Sequence, residues 1–84
     1  MINAKEAANS AIEYLKSFYT GAKKVMLEEV ELSEEKKIWS ITISFENIET
    51  GDNSHTTINP RIYKIFRIDT TTGLVTAMKS KDYK

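Results

Sequence analysis

The sequence has no cysteine, one proline, three glycines and one histidine in 84 residues. Without cysteine there is no disulfide, no thiolate metal site and no thiol nucleophile, a composition that fits a reducing compartment. With His55 as the sole histidine, Ser/His/Asp chemistry would rest on one residue of a polar stretch. The glycines do not form a phosphate-cradling loop. An excess of either charge is missing too. Twelve Lys and Arg balance twelve Asp and Glu, so no net field draws the chain to nucleic acid or to an acidic membrane.

Long hydrophobic runs are also absent. The beginning, MINAKEAANSAIEYL, places Glu6 and Glu13 among its apolar residues and reads as neither a secretory signal nor a transmembrane helix. These absences lead to the expectation of a cytoplasmic protein that is not an enzyme, binds no cofactor and spans no membrane. A chain of this length forms one domain, residues 1–84, and buries about two-thirds of its unfolded surface.

What is present is a pattern of one helix and four strands. Asn3 followed by Glu6 resembles a capping box. Ala4, Ala8, Ala11, Leu15 and Phe18 then recur at helical spacing, widened by Ala7, Ile12 and Tyr19. Thr20 and Gly21 are expected to close the helix, with glycine in the left-handed conformation. Residues 23–32, KKVMLEEVEL, read as a strand whose apolar residues break strict alternation, and either a bulge near Glu28 and Glu29 or a late start to the strand restores the phase. A polar turn follows at residues 33–37.

Residues 38–46, IWSITISFE, form the cleanest strand: Trp39, Ile41, Ile43 and Phe45 point one way. Ser40, Thr42, Ser44 and Glu46 point the other, toward a solvated surface. Residues 47–60 gather Gly, Asp, Asn, Ser, Thr and Pro and read as a long loop. Residues 61–81 form a hairpin around DTTTG, in which Asp69 bonds the backbone two residues on and Gly73 takes a positive φ. The whole is an α+β fold, with one N-terminal helix packed on a four-stranded antiparallel β-meander. The expected core is Ala8, Ala11, Leu15, Phe18, Trp39, Ile41, Ile43, Phe45, Phe66, Ile68 and Val75.

A leading helix, an acidic strand, a Trp-bearing strand and a closing Tyr-x-x-x-x-Ile-Asp-x-x-Thr-Gly-x-Val motif resemble PepSY-like domains. The motif residues are Tyr63, Ile68, Asp69, Thr72, Gly73 and Val75. The chain is also similar to a small uncharacterised bacterial protein family, through AKEA at 4–7, Tyr14-Leu15, LEEVEL at 27–32, Trp39 to Ile43 and YKIFRID at 63–69. The resemblance covers most of the chain outside the loop. It implies a helix across a β-meander, PepSY-like or cystatin-like, and a role of the kind suggested for PepSY domains, which are often exported or membrane-attached and restrain peptidases. The chain is expected to depart from that pattern, since its sequence reads as neither a signal nor a membrane segment.

Three constellations could carry function. His55, Glu49, Asp52 and Asn53 stand close enough in the loop to suggest a small-ligand or metal site at residues 48–60, although ordinary loop residues explain them as well. The acidic run of Glu28, Glu29, Glu31, Glu34 and Glu35 and the basic Arg61, Lys64, Arg67, Lys79, Lys81 and Lys84 suggest an acidic strand beside a basic hairpin, with cross-strand pairs. The third is a second apolar sheet face of Tyr63, Ile65 and Met78, with Leu74 nearby and Arg67 among them. Tyr, Met and Arg are enriched where proteins meet. Tyr63, Ile65, Arg67 and Met78 are therefore the expected partner-binding residues. They would serve a protein-interaction module that binds a protein partner or a second copy through the open sheet face or an edge strand.

Overall fold

A computed structural model describes residues 1–47 and 61–81. Helix α1 spans Ala4–Phe18, and the strands are β1 (Ala22–Ser33), β2 (Ile38–Asn47), β3 (Ile62–Asp69) and β4 (Val75–Ser80). Each strand pairs antiparallel with its chain neighbour, giving a four-stranded sheet in the order β1-β2-β3-β4. This is the expected helix on a meander. Among the described residues no helix is long and apolar enough to cross a membrane. Of the expected loop at residues 47–60, Asn47 instead ends β2, and residues 48–60 lie outside the described residues.

The helix begins as its sequence dictates. Asn3 Oδ1 accepts from the Glu6 N–H at 2.8 Å, and Glu6 Oε1 accepts from the Asn3 N–H at 2.9 Å, a reciprocal capping box. Its end differs from expectation. The chain leaves helical geometry at Tyr19, with φ −120° and ψ 82°, while the Tyr19 N–H still donates to Leu15 O. Ala22 N–H then donates to Tyr19 O at 3.0 Å. Gly21 does not take a positive φ, unlike Gly73 at 77°. The turn into β1 is made by the tyrosine and this one hydrogen bond, so the glycine is not the closing device.

Ala7, Ala11 and Leu15 of α1 pack with Ile41, Ile43 and Phe45 of β2 and with Phe66 and Ile68 of β3 to form the core. Alanines on the buried face let helix and sheet backbones approach closely. Trp39 and Val75 pack against this cluster but stay half-buried. Trp39 Nε1 donates to Ile2 O at 3.1 Å, a partner its indole N–H requires at a partly buried position. Phe18 is a correction to the expected core, for it is 60% exposed. Tyr19 occupies the place below the helix end, with its ring 5.0 Å from that of Phe45. Phe18 is left to stack on Tyr14 at 4.9 Å, on the outer flank.

Bulges set which side each strand residue faces. The expected one is present: Leu27 lies opposite Ile43 and Glu29 opposite Thr42, so Glu28 is the extra residue. A second lies between Lys23 and Met26, where Lys24 takes φ 53°. A third lies in β4. Arg67 pairs with Ala77 and Ile68 with Val75, leaving Thr76 unpaired, its Oγ1 donating to Arg67 O at 3.1 Å.

The last hairpin turns as expected. Asp69 Oδ1 accepts from the backbone N–H groups of Thr71 at 2.7 Å and Thr72 at 2.9 Å. Gly73 donates back to Asp69 O at 2.9 Å. Ile2 N–H donates to Thr70 O at 2.8 Å, so the segment before α1 is tied to this turn.

Candidate functional site

The face of the sheet away from α1 was the expected docking surface. Register places Tyr63 opposite Ser44, Ile65 opposite Thr42 and Arg67 opposite Ser40, so three of the four expected partner-binding residues share one line along β3. Tyr63 and Ile65 are half-buried and Arg67 is exposed. Met78 is not with them. The Thr76 bulge shifts its phase and sets it opposite Phe66, where it packs against the core on the helix side. A straight alternation of β4 gives the opposite answer, which is why the sequence misplaces it. Leu74 is exposed but lies in the turn before β4.

The hydroxyls of β2 are not solvated as expected: Thr42 is 3% exposed and Ser44 is fully buried. Long charged side chains from β1 and from Arg61, just before β3, fold over them. Ser44 Oγ donates to Glu28 Oε2 at 2.6 Å and accepts from Arg61 Nε at 3.1 Å and Nη2 at 2.9 Å. Thr42 Oγ1 donates to Glu29 Oε1 at 3.3 Å. Arg61 also reaches Lys24 O at 2.5 Å and stands 3.6 Å from Glu46. Burial is tolerated because each buried side-chain N and O among the described residues has a partner. Much of this face is therefore covered by the protein's own polar network.

Strand order also alters the expected charge pairing. Acidic β1 and the basic β3–β4 hairpin are separated by β2, so they are not adjacent strands. Lys81 nevertheless crosses the sheet and donates to Glu29 Oε1 at 2.6 Å. This hydrogen bond first, and then the charge of the same ammonium, hold the Glu29 carboxyl below the ordinary carboxylate range. Glu31, opposite Ser40 on β1, makes no ion pair among the described residues.

A different surface emerges at the β1 edge. Met26, Leu27 and Val30 are 53%, 48% and 37% exposed. Leu27 lies opposite Ile43 and Val30 opposite Ile41, so both face the helix side, yet the core cluster does not take them in. Every second residue of an edge strand also turns its N–H and C=O outward. The sequence signal for this surface was the broken alternation of residues 23–32, which puts Leu27 and Val30 on one side only if Glu28 bulges.

A cleft of about 320 Å³ lies at the turn end of the sheet, lined by Met1, Leu32, Glu34, Lys37, Thr70 and Thr71. Among the described residues no group of three or more His, Cys, Asp or Glu is placed to hold a metal ion. The suggested loop site of Glu49, Asp52, Asn53 and His55 lies outside the described residues. Comparison of the chain with protein-family models, curated proteins and solved structures finds no match, and the function is read from this geometry.

Proposed function

We propose that this chain is a small, non-catalytic protein-interaction module whose principal docking surface is the edge strand β1. The observation that carries this reading is the exposure of Met26, Leu27 and Val30 together on one sheet edge. Leu27 and Val30 lie opposite Ile43 and Ile41 of β2, which are fully buried, while Met26 lies opposite Ser44 on the other face of the same edge. An edge that offers both unsatisfied backbone groups and apolar side chains suits the addition of an extended segment from a partner. Main-chain bonds then supply affinity and alternate side chains supply specificity. The open face, with Tyr63, Ile65 and Arg67, contributes less because its own network already covers its centre.

We also read the chain as PepSY-like and cytoplasmic. The first is supported by the helix-then-meander order and by the motif turn, in which Asp69 and Gly73 play the parts their chemistry suits. The second is supported by the lack of cysteine.

The test is recovery of a tagged chain from its host beside two variants. Leu27→Asp with Val30→Lys should release the partner that travels with the unaltered chain, while Tyr63→Ala with Arg67→Glu should retain it. The reverse result would move the site to the open face and overturn the β1 reading.

A further inference from the structure

We propose that the occupant of the β1 edge is an extended segment in which basic and apolar residues alternate, taken up as a fifth strand. The inference rests on the reading of β1 as the docking edge and adds the chemistry of what docks there.

Beyond the Glu28 bulge, β1 is regular. From Glu29 to Ser33 each residue has one partner on β2, without a break. Along this stretch Glu29 and Glu31 face away from the helix, and Val30 and Leu32 face toward it, with Leu27 joining the apolar side. A strand laid against the outer edge sets its side chains about 4.5–5.5 Å from these. It meets carboxylates at one parity and apolar side chains at the other. A basic residue opposite Glu31, which makes no ion pair among the described residues, alternating with apolar residues opposite Val30 and Leu32, satisfies both parities at once. Glu29 already carries Lys81 on Oε1 and adds to the acidic parity only as half of that pair. Like charges directly opposite would destabilise the pairing.

The same pattern argues against a second copy pairing β1 with β1. Antiparallel pairing that keeps both helices on one face sets Glu31 opposite Glu31 or Glu29 of the second copy, or else opposite Ser33 in a register that overlaps only residues 31–33 of each strand. Pairing that puts the helices on opposite faces sets each glutamate against Val30 or Leu32. Neither arrangement suits both parities along the full stretch. Strand β4 of another copy does carry Lys79 and Met78 on opposite sides. Its docking on β1 would be head-to-tail and would go on adding copies.

The experiment is a titration of the full chain, followed by NMR shifts and amide exchange, with three synthetic peptides. They are the alternating Lys-Val-Lys-Ile-Lys-Val-Lys, its acidic counterpart with Glu for Lys, and a block peptide of the basic composition, Lys-Lys-Lys-Lys-Val-Ile-Val. The alternating basic peptide should slow exchange of outward amides within residues 29–33. It should bind at least about tenfold more tightly than the acidic one, and lose that advantage as salt rises. Glu31→Lys, at an exposed position, should fold normally and reverse the preference toward the acidic peptide.

Equal docking of the acidic peptide on β1 would overturn the proposed chemistry and leave the edge reading standing. Equal binding of the block peptide would show charge attraction without strand addition and overturn it as well. Shifts confined to Tyr63 and Arg67 would sink both readings. Absence of peptide binding, or growth of the chain alone into large assemblies that Lys79→Glu abolishes, would also overturn the proposed occupant.

Discussion

Lys81 Nζ lies 2.6 Å from Glu29 Oε1 although Glu29 belongs to edge strand β1 and Lys81 directly follows β4 at the other edge of the sheet. The pair reaches over β2 and β3 and ties the end of the described chain to its first strand. Because this contact lowers the folded-state pKa of Glu29, its stabilising effect is fully present above the unfolded carboxylate pKa. It is lost as pH falls through the folded pKa. Lys81→Met is expected to raise the Glu29 pKa toward its ordinary value and to flatten the acid limb of the stability curve, both measurable by NMR titration and by denaturant unfolding against pH. Added salt should shrink the difference, since both groups reach solvent.

The turn of the last hairpin depends on one carboxylate and one glycine. The Asp69 carboxyl is held below its usual range by the backbone N–H of Thr72 and then that of Thr71. Its contribution therefore also persists above the unfolded carboxylate pKa and is lost as pH falls through the folded pKa. Asp69→Ala should lower Tm at neutral pH and make less difference in acid. At Gly73, φ is 77° and an added Cβ would meet Ile2 Cγ2 at an ordinary 3.6 Å. Gly73→Ala should therefore cost about 1–2 kcal/mol through backbone strain and not through a clash. Thermal unfolding of the variant checks this.

Leu15 and Phe18 both lie on the helical stripe, yet only the first is enclosed. Leu15→Ala is expected to cost about 2–5 kcal/mol. Phe18→Ala should cost about 1 kcal/mol or less, the loss of its stacking on Tyr14. Urea unfolding of the two variants compares them directly. A large loss at Phe18 would contradict the exposure described for it.

Lys37 closes the β1–β2 turn with φ 57°, a conformation that disfavours a residue bearing a Cβ. Lys37→Gly is expected to stabilise the protein by about 0.5–1 kcal/mol, net of the greater freedom of glycine in the unfolded chain. In a domain of this size that is about 2–8 °C in Tm. A fall in Tm would show that the lysine side chain contributes more than its backbone costs.

The parts of the fold legible in the sequence are those decided within a few residues. Asn3 and Glu6 cap each other, Asp69 and Gly73 make their turn, and the strict alternation of β2 correctly sorts Ile41, Ile43 and Phe45 inward. Glu28 was legible as a bulge because the apolar pattern breaks there. Thr76 was not, since neither a glycine nor a broken pattern marks it, and Met78 was misplaced as a result. The burial of Thr42 and Ser44 was hidden for another reason: the side chains that cover them are remote in sequence, Glu28 and Glu29 on β1 and Arg61 just before β3. Phe18 lost its expected place to Tyr19 through the exit angle of one residue.

The bond from Ile2 to Thr70 has a kinetic meaning. Each strand pairs with its chain neighbour, so hairpins can form one after another with little loop-closure cost. The helix, synthesised first, finds a complete platform only once Phe66 and Ile68 are in place beside Ile41 and Ile43. On this order the tie between residues 2 and 70 is expected to form last, after the transition state. Chevron kinetics would check this order. Ile41→Val should slow folding, while Ile2→Pro, which removes the N–H that makes the tie, should chiefly hasten unfolding.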